Sequence, residues 1–176
     1  MIEHTFTLIL NAAPDEHLDA LFEAGCDDAL FGEVDGTHYV EFTREAPTLS
    51  AALASAIADV RSVADLRVLR VEPDDMVTLS EIAERLGRTR ESVRLLAAGD
   101  RGTGDFPTPI SHARERNRLW RWTAVLAWAS AHGQAEDADI EGARVVAAVN
   151  AALELNARLP ELAEGDRATV ATIGRG

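Results

Sequence analysis

Lysine is absent from this chain. All 17 positive charges are arginine, set against 30 Asp and Glu, for a net charge of −13. With the abundance of alanine, that arginine-only bias points to a GC-rich genome. Cysteine is almost absent too: a lone Cys26 excludes an intramolecular disulfide framework and any multi-cysteine metal centre. Cys26 reads as a small hydrophobe near a helix end rather than a reactive thiol. The five histidines (His4, His17, His38, His112, His132) lack metal-ligand spacing, so neither a metal nor a cofactor is expected. No apolar run approaches the ~20 residues of a membrane-crossing helix. Met1 leads into no basic-then-apolar leader, and the expectation is a cytoplasmic protein without a membrane partner. No Ser/His/Asp or Cys/His set assembles. The adjacent pairs Asp27/Asp28 and Asp74/Asp75 read as solvated turn residues, so the chain is not expected to be an enzyme.

Aromatic residues make up only 5% of the chain, yet its three tryptophans, Trp120, Trp122 and Trp128, fall within nine residues. Charge is equally uneven. Residues 1–77 hold 16 acidic side chains against 4 Arg, a net of −12, whereas residues 78–122 hold 6 acids against 9 Arg, a net of +3. The remainder is again acidic, at −4. The only cationic stretch is therefore the one that carries Trp120 and Trp122.

The N-terminal part alternates strand and helix signals. Residues 5–10 form a β-branched, apolar run closed by Asn11 and Pro14. Residues 15–24 place Leu18, Leu21 and Phe22 at helical spacing, with Gly25 after the last turn. Residues 29–34 and 37–42 read as a hairpin about Asp35-Gly36, a pair suited to a tight primed turn. Residues 48–63 repeat Leu49, Leu53, Ala56, Ile57 and Val60 on one helix face, and residues 66–71 alternate as a fourth strand. The order βαββαβ is that of a ferredoxin-like split βαβ arrangement.

After Pro73-Asp74-Asp75, Thr78 and Glu81 form a capping-box pair at a helix start. Ala83 is small enough for a second helix to approach, Gly87 suits the turn, Thr89 caps the second helix, and Val93 returns its apolar face to a shared core. The glycines of residues 99–105 have no strand before them and no helix directly after, so they read as a connector rather than a phosphate loop. Ile110-Ser111 and residues 119–122 are expected to pair as a two-stranded wing, with Arg114, Arg116 and Arg118 at a tip suited to phosphate or minor-groove contact with DNA; an ordinary solvated hairpin is the competing reading. Trp120 and Trp128 are expected to close it as core, and Thr123 to cap a helix reaching about His132.

The helix pair, Phe106-Pro107-Thr-Pro109 and the run from Trp120 through Thr123 and Val125 to Trp128 resemble the winged helix-turn-helix of MerR-superfamily proteins. Within that superfamily they resemble the small excisionase-like (AlpA-type) DNA-binding domains. The resemblance covers about 50 of the 176 residues. It departs from the pattern in the long link from Gly99 to Phe106 and in Ala124, where an acidic residue is usual. It implies that the helix opening at Thr89 enters the major groove. Arg90 and Arg94 would read base edges, because the guanidinium fork spans guanine O6 and N7. Arg88, Thr89 and Ser92 would hold the phosphate backbone. Solvated ion pairs with Glu84, Glu91 or Asp100 are the competing use of the same arginines.

The expected fold class is α+β. An acidic ferredoxin-like domain (1–75) leads into a winged helix-turn-helix (76–134), a C-terminal helix (135–163) and a flexible tail (164–176). Ile140, Val145, Val146, Val149, Leu153 and Leu159 give that helix a broad apolar stripe, to be buried on its own chain or against a second one. Residues 168–173 could add a short edge strand. The expected partner is double-stranded DNA, bound by a homodimer, since helices after the wing generally pair such domains. The competing reading is an antitoxin-like or inhibitor protein whose acidic N-terminal domain binds a basic protein.

Overall fold

Alternating apolar positions build the N-terminal sheet. In β1 (Ile2–Leu10) and β3 (Thr37–Ala46), Phe6, Leu8 and Leu10 and then Val40, Phe42 and Ala46 are buried on one face. The register pairs Phe6 with Phe42 and Leu8 with Val40, and the two Phe rings stack at 5.5 Å. β2 (Ala29–Val34) joins β3 through Asp35 and Gly36, both left-handed at φ 50° and 75°, as a two-residue primed turn requires. β4 (Val68–Glu72) lies on the other side of β1. The order is β2-β3-β1-β4, with every neighbouring pair antiparallel.

The structure, a computed structural model, describes residues 1–111 and 118–173. It is a mixed α+β chain that divides into two compact units, residues 1–73 with those from 148 onward, and residues 74–147. In the first unit, a 3-10 turn (Asp15–His17) takes up the first turn of the helix expected over 15–24, leaving α1 as Leu18–Glu23. α2 (Leu49–Ser62) is capped by Thr48, whose hydroxyl accepts from the Ala51 N–H at 3.2 Å. Its buried stripe of Ala52, Leu53, Ala56, Ile57 and Val60 covers the apolar sheet face.

Among the described residues Arg44 is the one cation in that core. Its guanidinium donates to both oxygens of Asp28 at 2.8 Å, to Asp59 at 2.6 Å, to Ser55 at 3.1 Å and to the Gly25 carbonyl at 2.6 Å, and it lies over the Phe42 ring. Every donor direction of the fork is used, which is what lets a charge stay inside. Asp28, expected as a solvated turn residue, is part of this network. The β4 edge is covered by Asn150, whose side-chain amide donates to the Val71 carbonyl at 2.9 Å and accepts the Val71 N–H at 2.7 Å. A side-chain amide there replaces the strand that an open edge would recruit.

In the second unit β5 (Met76–Thr78) leads into α3 (Leu79–Arg85) and α4 (Arg90–Ala98); β6 (Leu119–Arg121) then leads into α5 (Trp122–Ala131). β6 forms its ladder with β5, not with Ile110-Ser111 as expected. Ile110 and Ser111 still reach β6, through one backbone bond from the Ile110 N–H to the Leu119 carbonyl (2.8 Å) and through the Ser111 hydroxyl, which accepts from the Leu119 N–H (2.9 Å). The β5 residues win the ladder because Val77 faces Trp120 in the register and both are fully buried.

α6 (Asp137–Arg158) spans the division between the units. Ile140, Val146 and Leu153 of its stripe are buried within the single chain. Pro160 stops it in a 3-10 turn (Leu159–Glu161). The segment expected to be a flexible tail or an edge strand is instead helical, α7 (Glu164–Ile173). Glu164 and Asp166 occupy its first turn, and Arg167 donates to the carbonyls of Leu159, Pro160 and Leu162. This terminal capping outweighs the β-branched composition of residues 169–173. Among the described residues no helix is long and apolar enough to cross a membrane.

Candidate nucleic-acid interface

The α3–α4 pair is held by local chemistry that sequence spacing announces. Thr78 and Glu81 close a full capping box: the Glu81 N–H reaches the Thr78 hydroxyl at 3.3 Å, and the Glu81 carboxylate accepts the Thr78 N–H at 2.7 Å. Bonding to Thr78 holds the Glu81 carboxyl below its usual range. Gly87 sits at φ 60°, with nothing near enough to oppose a Cβ, so backbone conformation rather than space selects glycine there. The Arg88 N–H then bonds back to the Ala83 carbonyl at 2.7 Å, and Thr89 caps α4 by accepting the Ser92 N–H at 3.2 Å.

Beneath the pair lies one core of Val77, Ile82, Ala83, Val93, Trp120 and Val125. Trp120 is fully buried, and its indole N–H donates to the Pro107 carbonyl at 3.0 Å. Trp128 anchors a neighbouring cluster with Leu96 and Ala129, edge-on to Phe106 at 4.9 Å. Both therefore take the core role expected of them. Trp122 opens α5 and lies half-buried under the Arg85 guanidinium, 5.1 Å from ring to charge.

Two features near α5 escape sequence reasoning. Thr123 does not cap the helix. The cap position belongs to Arg121, whose side chain makes no capping bond, and the Thr123 N–H is accepted by Asp75 Oδ1 at 2.8 Å. Asp75, expected as a solvated turn residue, is only 8% exposed; its carbonyl also accepts the Trp122 N–H, and Arg121 lies 3.4 Å from its other oxygen. Second, the glycine-rich connector is tied down. Asp105 accepts from the Trp128 indole N–H at 3.1 Å and from the Thr103 hydroxyl, contacts that hold its carboxyl below the usual range, the Thr103 bond foremost. His132 joins them, with Nε2 3.4 Å from the Thr103 hydroxyl and 3.5 Å from Asp105. A relay would need the carboxylate on the opposite ring nitrogen. That nitrogen, Nδ1, faces the Trp128 carbonyl at 2.8 Å, so the cluster is a latch for the connector.

The candidate DNA contacts meet at the start of α4, though they are not equally available. Thr89, Arg90 and Arg94 are exposed, while Ser92 and Arg88 are half-buried. Arg90 carries no hydrogen bond or ion pair among the described residues, and neither does the exposed Arg101 beyond the helix. Arg88 donates to the Gln134 side-chain carbonyl at 2.6 Å. Arg94 forks onto Glu91, Nε to Oε2 at 2.9 Å and Nη2 to Oε1 at 2.8 Å, which lowers the Glu91 carboxyl and raises the guanidinium. For Arg94 the competing surface-pair use is the one realised. Arg118 is half-buried, with its guanidinium 5.8 Å from the Trp120 ring centre. Arg114 and Arg116 lie outside the described residues. Among those described, no group of His, Cys, Asp and Glu could hold a metal ion. No protein-family model, curated protein or solved structure matches the chain.

Proposed function

We propose that the chain is a sequence-specific DNA-binding protein, a transcriptional regulator or excisionase-like factor, whose residues 76–134 act as a winged helix-turn-helix. The observation that carries this reading is the α3–α4 pair, seated on one tryptophan core with the cap and first turn of α4 turned to solvent and Arg90 unengaged. A helix N-terminus with a hydroxyl cap and a free arginine offers both a phosphate contact and a base-reading fork. The Ile110–Leu119 bond beside β6 supports a wing on the same unit. The β2-β3-β1-β4 order suits a ferredoxin-like N-terminal domain.

Pairing with a second copy would double the phosphate contacts that a small cationic surface can offer. Because the single chain already buries Ile140, Val146 and Leu153, a dimer contact on α6 draws on the half-exposed Val145, Val149 and Leu155. One observation favours the second reading, an interaction protein for a basic partner: the net charge of −12 over residues 1–77.

The test is fluorescence anisotropy on labelled genomic fragments across a salt series, comparing the parent with Arg90→Ala/Arg94→Ala. The expected result is a loss of about tenfold or more in specific affinity, each good base fork contributing about 1–3 kcal/mol. Unchanged affinity and specificity in a folded double variant would refute the assignment.

A further inference from the structure

Helix α2 covers only one face of the four-stranded sheet. The other face carries a shallow hollow of about 500 Å3, built entirely from residues of the first unit. That volume falls in the range of sites that hold a single small molecule. Its floor is Ile9, 4% exposed although it points away from the helix-covered side. Beside Ile9 in the register stands Tyr39, the only tyrosine of the chain, and across from Tyr39 stands Gly32. A Cβ at Gly32 would collide with the Tyr39 ring, so this glycine lets the ring lie down across β2 as a flat apolar platform. Val34, 59% exposed, continues the apolar floor at the hairpin end.

The charges round this platform are unbalanced. Asp35, Glu41 and Glu72 line the hollow against a single cation, Arg70. Arg70 is already engaged, donating to Glu72 at 2.8 Å. Asp35 and Glu41 have no ion pair among the described residues. A ring face with two unpaired carboxylates attracts positive charge by both its quadrupole and its Coulomb field, and repels anions.

From this arrangement we propose that the open sheet face binds a small, flat organic cation, stacked on Tyr39 with its charge held by Glu41 and Asp35. The bounded size of the hollow favours a small molecule over a basic peptide, which would run on beyond it. The site stands on residues of 1–73 alone and does not depend on the DNA-binding reading.

The experiment uses the full chain and a matched pair of probes, N-methylacridinium and its neutral parent acridine, titrated by fluorescence at pH 8 and low salt. The expected result is saturable binding of the cation, with the neutral ring at least tenfold weaker. Tyr39→Ala and Glu41→Gln should each weaken the cation by about threefold to thirtyfold. Gly32→Val, which lifts the ring without changing charge, should do the same, while Arg90→Ala should leave binding intact. Both sheet-face side chains are solvent-accessible, so their variants keep the test decisive even if Gly32→Val fails to fold. Equal affinity for acridine, unchanged binding in both Tyr39→Ala and Glu41→Gln, or binding of an arginine-rich peptide at this face without binding of the acridinium would each overturn the proposal.

Discussion

Asp75 offers the sharpest test of how the second unit is held together. Its Oδ1 accepts the Thr123 N–H in the first turn of α5, a donor that the helix itself cannot satisfy. Replacing Asp75 by Ala strands that N–H in a site where Asp75 is 8% exposed, at a cost of about 1–3 kcal/mol. Loss of the Arg121 contact adds less than ~1 kcal/mol, because the Arg121 side chain is 54% exposed. The sum is about 1–4 kcal/mol. Asn at the same position keeps the acceptor oxygen and loses only the charge, which near a helix N-terminus contributes about 0.3–1 kcal/mol.

For a domain of this size each kcal/mol moves Tm by about 4–8 °C. Asp75→Ala should therefore lower it by about 5–30 °C, and Asp75→Asn by less, under about 10 °C. Tryptophan fluorescence is the right probe, because all three tryptophans lie in the second unit and none in the first. Equal losses in the two variants would mean that charge, rather than the acceptor, holds α5. No loss in either would refute the capping argument altogether.

Two further predictions concern the first unit. Arg44→Met leaves Asp28 and Asp59 facing each other without a cation and should cost about 3–5 kcal/mol in urea unfolding followed by far-UV circular dichroism. Combining it with Asp28→Asn and Asp59→Asn should restore much of that loss, and a triple variant no better than the single would contradict the ion-network account. Burial first, then Asp59, pushes the Cys26 thiol up to about 11. The folded state thus favours the neutral thiol, so this contribution is complete below the ordinary thiol range near 8.5 and is lost as pH rises toward 11. Cys26 should resist a disulfide-exchange reagent at pH 8 until the chain is unfolded, and Cys26→Ala should flatten the alkaline decline; rapid labelling of the native chain would rule this out.

What could be read from sequence was chemistry that closes within a few residues. The Thr78–Glu81 box, the Thr89 cap, the Asp35-Gly36 turn and the alternation of Phe6, Leu8 and Leu10 depend on neighbours no more than four positions away. Each of those elements stands where its local signal places it. Contacts that span the chain left no such mark. Asp75 finds Thr123 at a separation of 48, Asn150 finds Val71 at 79, and Arg44 gathers partners 11 to 19 residues away. Adjacent carboxylates and a polar residue within an apolar helix stripe look alike in sequence whether solvated or enclosed.

The candidate site shows the same division, with a consequence for its energetics. The +3 balance of residues 78–122 counts charges, not available charges. Arg85 is spent on the Asp74 carbonyl and Trp122, Arg88 on Gln134, Arg94 on Glu91, and Arg121 on Asp75. A phosphate must compete with each of those partners, whereas Arg90 and Arg101 are engaged by none among the described residues. The dependence of binding on salt counts the phosphates actually neutralised, with a slope of about −0.9 per contact. It should therefore follow the arginines that leave their protein partners, and Glu91→Gln, by releasing Arg94, should steepen it. A slope unchanged by that substitution would mean that Arg94 neutralises no phosphate and would confine its proposed role to base edges, beside Arg90.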